Sequence, residues 1–198
     1  RSGNQNVRAG VRIFEPRAAE LPWWNPDGAT PGGAGGSCVG AYQAKGAADY
    51  ATSKVNSANA GTNDLTEGNG AVPWASGSGW GFLRAQSKYL ITGLVPSNTQ
   101  SWSAIVQFAN HDGANFDCLL GTLSAGGYFY VSCDWGGDLL YANGSIRTVV
   151  PELVTGNLCV AGNQGYRNGA AEGAAINGWA GASTNDIYIG ASNDLGLD

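Results

Sequence analysis

The residues that could do chemistry are few and scattered. The acids form two loop-like groups. Asp112, Asn115 and Asp117 lie in one, and Asp134 and Asp138 bracket Trp135-Gly136-Gly137 in the other. Cleaving a glycosidic bond needs two carboxylates held roughly 5–10 Å apart. No strand-like run here carries closely alternating acids: Asp134 to Asp138 reads as a turn, Glu152 follows Pro151 alone, and Glu172 sits beside a hairpin. Serine chemistry would need His111 as its base, but this lone histidine stands in a polar loop and no Gly-x-Ser-x-Gly elbow occurs. The expectation is a chain that is not an enzyme.

Binding chemistry has more candidates. Calcium gathers Asp and Asn oxygens with backbone carbonyls, so Asp112, Asn115, Asp117, Asp134 and Asp138 are its candidate ligands, against the plainer reading of solvated loop acids. A sugar ring stacks its C–H face on an exposed aromatic ring while polar neighbours hold its hydroxyls. Trp135 and Trp179 lie among small or polar residues, and Trp23-Trp24 precedes a Gly/Pro-rich run. These four are the candidate glycan platform. The plainer reading has them covering hydrophobic edges of a glycine-rich core.

Cys38, Cys118, Cys133 and Cys159 have no Cys-x-x-Cys spacing, and one histidine cannot build a His-rich zinc site. Cys118 and Cys133 fit neighbouring strands of one hairpin and are the disulfide candidates; buried thiols are the alternative. The net charge of −5, with 10 scattered Lys and Arg, lacks the basic face that nucleic acid requires. No apolar run approaches the roughly 20 residues of a membrane-spanning helix.

At 198 residues, with 32 Gly and 13% charged residues, the chain fits one globular domain with many turns. Residues 1–20 read as an arm whose Val11 to Phe14 could form a strand, and 21–198 as the domain. A 3.6-residue apolar period predicts a short helix over Ala47–Asn56. Cys38 to Tyr42 fits a strand, and from Val72 onward the period turns to two. The clearest strand is Ser101 to Ala109, with Trp102, Ala104, Val106 and Phe108 on one face and Ser103 and Gln107 on the other. Further strands are expected at Lys88–Ile91, Cys118–Leu123, Tyr128–Cys133, Leu139–Tyr141, Ile146–Val150, Leu158–Ala161 and Ile187–Ile189. Asn143-Gly144 and Asn168-Gly169 mark hairpins, because Asn-Gly tolerates the positive φ of a type I′ turn. Asn143-Gly144-Ser145 also matches a glycosylation acceptor, but the turn reading is preferred. The fold class is all-β: a two-sheet antiparallel jelly-roll sandwich with a short helix and an N-terminal arm.

Several stretches together resemble laminin-G-like jelly rolls of the concanavalin A-like group. They are Cys38-Val39-Gly40-Ala41-Tyr42-Gln43-Ala44-Lys45-Gly46-Ala47-Ala48, Trp80-Gly81-Phe82 with Tyr89-Leu90, and Ser101-Trp102-Ser103. Tyr141-Ala142-Asn143-Gly144, Tyr166-Arg167-Asn168-Gly169 and Ile187-Tyr188-Ile189-Gly190 complete the set. The resemblance covers about Leu21 to Asn193 and is greatest to uncharacterised versions in phage and environmental tail or surface proteins. It implies two facing antiparallel sheets and a further strand after Ile187–Ile189. The sequence after Asp194 offers none, which predicts an empty position beside that strand. Its expected occupants are the Val11–Phe14 arm, a strand from a second polypeptide, or a missing remainder of the chain.

The expected function is a non-catalytic structural or adhesion module, extracellular or on a virion surface. Its expected partners are copies of itself or a parent structural protein, and glycan. A carbohydrate-binding domain proper is the alternative, and a glycan-active enzyme the third.

Overall fold

The structure, a computed structural model, describes residues 38–96, 102–109, 117–124, 127–134, 139–143, 146–149, 155–161, 164–173 and 183–193. The arm, the Val11–Phe14 strand and the Trp23-Trp24 pair lie outside them. In chain order the described elements are helix α1 (Tyr50–Ser53) and strands β1 (Thr66–Gly68), β2 (Trp74–Ala75), β3 (Gly79–Trp80), β4 (Tyr89–Ile91) and β5 (Ser103–Phe108). Next come β6 (Asp117–Ser124), β7 (Gly127–Asp134), β8 (Leu139–Asn143), β9 (Ile146–Val149) and β10 (Gly156–Ala161). The last are β11 (Gln164–Arg167), β12 (Ala170–Glu172), β13 (Tyr188–Ile189) and β14 (Ser192–Asn193). The chain is mostly β, as its period-two patterning predicts.

One sheet runs β1-β4-β13-β6-β7-β8-β9, a second runs β12-β11-β10-β5, and β2 pairs β3 in a small hairpin. All pairings are antiparallel except that β14 runs parallel to β6. Leu120, Phe129, Val131, Cys133 and Tyr141 of the larger sheet and Leu158 and Val160 of the smaller one share a single buried cluster. A fully buried aliphatic or phenyl side chain contributes about 1.5–3 kcal/mol, so this cluster fastens one sheet to the other. A second cluster, of Leu65, Val72 and Leu90 with Tyr42, Trp80, Phe82 and Ile189, packs the segment before β4 against β4 and β13.

Alternation in β5 is as expected, with Ser103, Ile105 and Gln107 exposed and Ala104, Val106 and Phe108 facing the core. Asn168 and Gly169, between β11 and β12, both take positive φ, 49° and 84°, as a type I′ turn requires. At the other Asn-Gly, the register Ala142↔Ile146 closes a hairpin, which favours the turn over the glycosylation reading.

Three expectations are corrected. The helix covers only Tyr50–Ser53 instead of Ala47–Asn56, because polar side chains claim both ends. Asp49 caps the start by accepting from the Thr52 N–H at 2.7 Å, and the Asn56 N–H donates to Asp64 Oδ1 at 2.8 Å, not to a helical carbonyl. Cys38–Tyr42 forms no strand, because the Ala41 N–H donates to Asn56 Oδ1 and the Ala41 carbonyl accepts from Ser57. The position beside Ile187–Ile189 is not empty. Tyr188 and Ile189 pair with Ile91 and Leu90 of β4 on one side and with Gly121 and Leu120 of β6 on the other, and the tail itself supplies β14 to β6.

Candidate functional site

Most candidates named from the sequence lie outside the described residues: Trp23, Trp24, Asp112, Asn115, Trp135, Asp138 and Trp179, with His111. Asp117 and Asp134 are brought together, since they face each other in register where β6 begins and β7 ends. The two acidic loops therefore spring from one end of one hairpin. Calcium takes six to eight oxygens, and no group of three or more potential metal-ligating side chains occurs among the described residues. Those residues alone do not make a calcium site.

Cys118 and Cys133 do sit on paired strands, but they are thiols and not a disulfide. The cause is register. Cys118 pairs with Ser132, and the ladder shifts between Cys118 and Leu120. Cys118 Sγ lies 3.8 Å from the Val131 carbonyl, while Cys133 is 1% exposed within the core. Burial raises the Cys38 and Cys159 thiols above their ordinary pKa, which lowers the thiolate fraction that oxidants attack.

Other titratable groups are committed to architecture. Tyr141 reaches from the larger sheet to the smaller one and donates to the Tyr166 carbonyl, with Glu172 Oε2 3.4 Å away. Arg167 makes a two-pronged ion pair with the same carboxylate. Burial, then the Glu172 charge, holds the Tyr141 phenol well above the usual tyrosine range. Tyr42 is raised in the same direction, by burial and then by Asp64; its hydroxyl donates to the Asn63 carbonyl at 2.7 Å. Asn56 is fully buried and spends its whole amide. Its oxygen accepts from the N–H groups of Ala41 and Ala58, and its nitrogen donates to the carbonyls of Val39 and Thr62. Trp74 and Trp80 anchor the same region, donating to the Ala44 carbonyl at 2.8 Å and to Ser53 Oγ at 3.0 Å.

Among the described residues, two surfaces could act outward. The first is the edge of the smaller sheet. β5 ends that sheet, and among the described residues only β10 pairs with it. The Ser101–Ala109 stretch has no charge and no proline, so it lacks the devices that usually blunt an edge. Ile105, 61% exposed, is the most exposed large hydrophobic among the described residues. The register continues its row through Cys159 of β10, Tyr166 of β11 and Ala171 of β12.

The second surface is the outer face of the larger sheet. Tyr89 and Tyr188 stack there, with ring centroids 4.4 Å apart and planes 17° apart, and both are half-buried. Sequence reading missed this pair because it sought tryptophans in loops. The available signal was a tyrosine opposite a glycine on neighbouring strands, which appears only once register is known.

Comparisons with family models, curated proteins and solved structures find no match for this chain.

Proposed function

We propose that the chain is a non-catalytic structural or adhesion module of a virion or extracellular surface protein, built as a jelly-roll sandwich and assembling by strand pairing. The observation that carries this reading is the uncharged edge of β5, which among the described residues pairs with β10 alone. An unpaired row of N–H and C=O groups accepts an added strand. The arm, carrying Val11-Arg12-Ile13-Phe14, is the donor within reach of sequence reasoning, from the same chain or from a neighbouring copy. Because both ladders of β13 are occupied, exchange takes place at β5 and not beside the tail.

Light scattering on the whole chain and on a chain lacking Arg1 to Glu20 tests this. Donation to a neighbour predicts an oligomer that becomes monomeric on deletion. Donation within the chain predicts a monomer that melts several degrees lower without the arm. A monomer of unchanged melting temperature after deletion would refute the arm as donor.

A further inference from the structure

We propose that Asn168 is a site of self-modification: its side-chain amide closes onto the Gly169 nitrogen, and the residue becomes aspartate or isoaspartate. The reaction is independent of assembly at β5. Four Asn-Gly pairs occur in the chain. Asn143-Gly144 and Asn177-Gly178 extend outside the described residues, whereas Asn69-Gly70 and Asn168-Gly169 lie within them. These last two are closely matched. Each is followed by alanine, and each is exposed. Asn69 and Asn168 take positive φ, 58° and 49°, and Gly70 and Gly169 follow at 93° and 84°. A Cβ built on either glycine would meet nothing within 4 Å, so packing screens neither turn.

The hydrogen bonds of the two amides differ. Asn168 Oδ1 accepts from the Asn157 backbone N–H at 2.9 Å. Asn69 uses its amide nitrogen instead, donating to the Ser87 carbonyl at 2.8 Å. The chemistry of ring closure separates these arrangements. In a two-residue hairpin loop the central amides stay out of the ladder, and Arg167 pairs with Ala170 across this turn, so the Gly169 nitrogen is outside it. That nitrogen attacks the Asn168 side-chain carbonyl carbon and gives its proton to a solvent base. Negative charge gathers on Oδ1, where the Asn157 N–H already points, and a donor aimed at developing charge lowers the barrier. The bond from that carbon to the amide nitrogen then breaks, and the nitrogen takes a proton and leaves as ammonia. Water opens the five-membered imide that remains. Hydrolysis at the side-chain carbonyl gives aspartate, and hydrolysis at the main-chain carbonyl gives isoaspartate. At Asn69 the nitrogen that must leave is tied to Ser87, and that tie has to break first.

The product alters a link between strands. The Asn168 N–H also donates to the Asn157 carbonyl at 2.8 Å, so the β11–β12 turn and β10 hold each other in both directions. Aspartate keeps an acceptor oxygen there and adds a negative charge. Isoaspartate routes the main chain through the side-chain carbon, which lengthens the turn and undoes the exchange with Asn157. Just beyond the turn, β12 carries Glu172, the partner of Arg167 and Tyr141. Modification at Asn168 therefore loosens a connection between the two sheets.

Peptide mass mapping of the whole chain, aged in mildly alkaline buffer, tests this, with enzymatic methyl transfer marking isoaspartate. Asn168 is expected to convert about tenfold faster than Asn69, the effect of one hydrogen bond to the developing oxyanion. In chain unfolded by urea the two rates are expected to come within about twofold of each other, because both sites then present the same Asn-Gly-Ala sequence without the folded contacts. Melting curves confirm that the other samples stay folded. Equal rates in the folded chain, or faster conversion at Asn69, would overturn the inference. So would an Asn168 that stays intact, or a tenfold bias that persists in urea, which would trace the preference to sequence and not to the Asn157 N–H.

Discussion

At the scale of single residues, two polar side chains carry more than their size suggests. Tyr141 crosses between the sheets to the Tyr166 carbonyl and Glu172. Removing its hydroxyl leaves a buried acceptor short of a partner, so Tyr141→Phe is expected to cost about 1–2 kcal/mol in denaturant titration. The phenol also sets a pH dependence. Burial favours its neutral form, so in alkali the unfolded chain loses protons that the folded chain keeps. Stability is unaffected by this group below about pH 10, where an unfolded tyrosine begins to ionise, and falls as pH rises further. Tyr141→Phe should flatten that alkaline decline; an equally steep decline would show that the phenol is not shielded. Asn56 is the second such residue. Asn56→Asp puts a carboxylate oxygen in place of the amide nitrogen and against two carbonyls. It should destabilise the fold more than Asn56→Ala does when the two are compared by thermal melting. Neither role was legible in the sequence. Asn56 reads there as the polar end of a helix, and Tyr141 as an alternating strand residue, because the partners of both are far away in the chain or belong to its backbone.

At the scale of elements, the legible parts were those with local causes. The alternation of β5 and the Asn168-Gly169 turn arise from neighbouring residues alone. β1 was missed because Thr66-Glu67-Gly68 lacks apolar alternation, and β11 and β12 were marked only by the turn between them; these short runs become strands by pairing with their neighbours. The place of β13 between β4 and β6 was likewise hidden, since its partners lie far away in sequence. The chain leaves β13 through Gly190, whose φ is 82° and whose missing side chain makes room for Phe82. Gly190→Ala combines a strained backbone with a collision against an aromatic core residue. A loss of more than about 2 kcal/mol is expected by thermal or denaturant melting. A near-neutral result would mean that Phe82 does not pack where the second cluster places it.

At the scale of the whole molecule, the two sheets are fastened by one shared cluster, and the described residues present outward an uncharged edge and a pair of stacked rings. The proposed function makes use of the edge by pairing an added strand with it. Of the site's surroundings, the β6–β7 hairpin was legible from its two alternating segments, whereas the tyrosine pair was not, because it is a product of register. The amides of β5 test the assembly claim most directly. Alternate N–H groups of a strand point to opposite sides, so those facing β10 are protected in any state, and the others only when a strand is added. Hydrogen exchange on Ser103–Phe108 should show slow exchange along the whole of β5 in the intact chain. In the chain lacking Arg1 to Glu20, every second amide should become fast. Fast exchange of those alternate amides in both chains would contradict strand pairing at this edge.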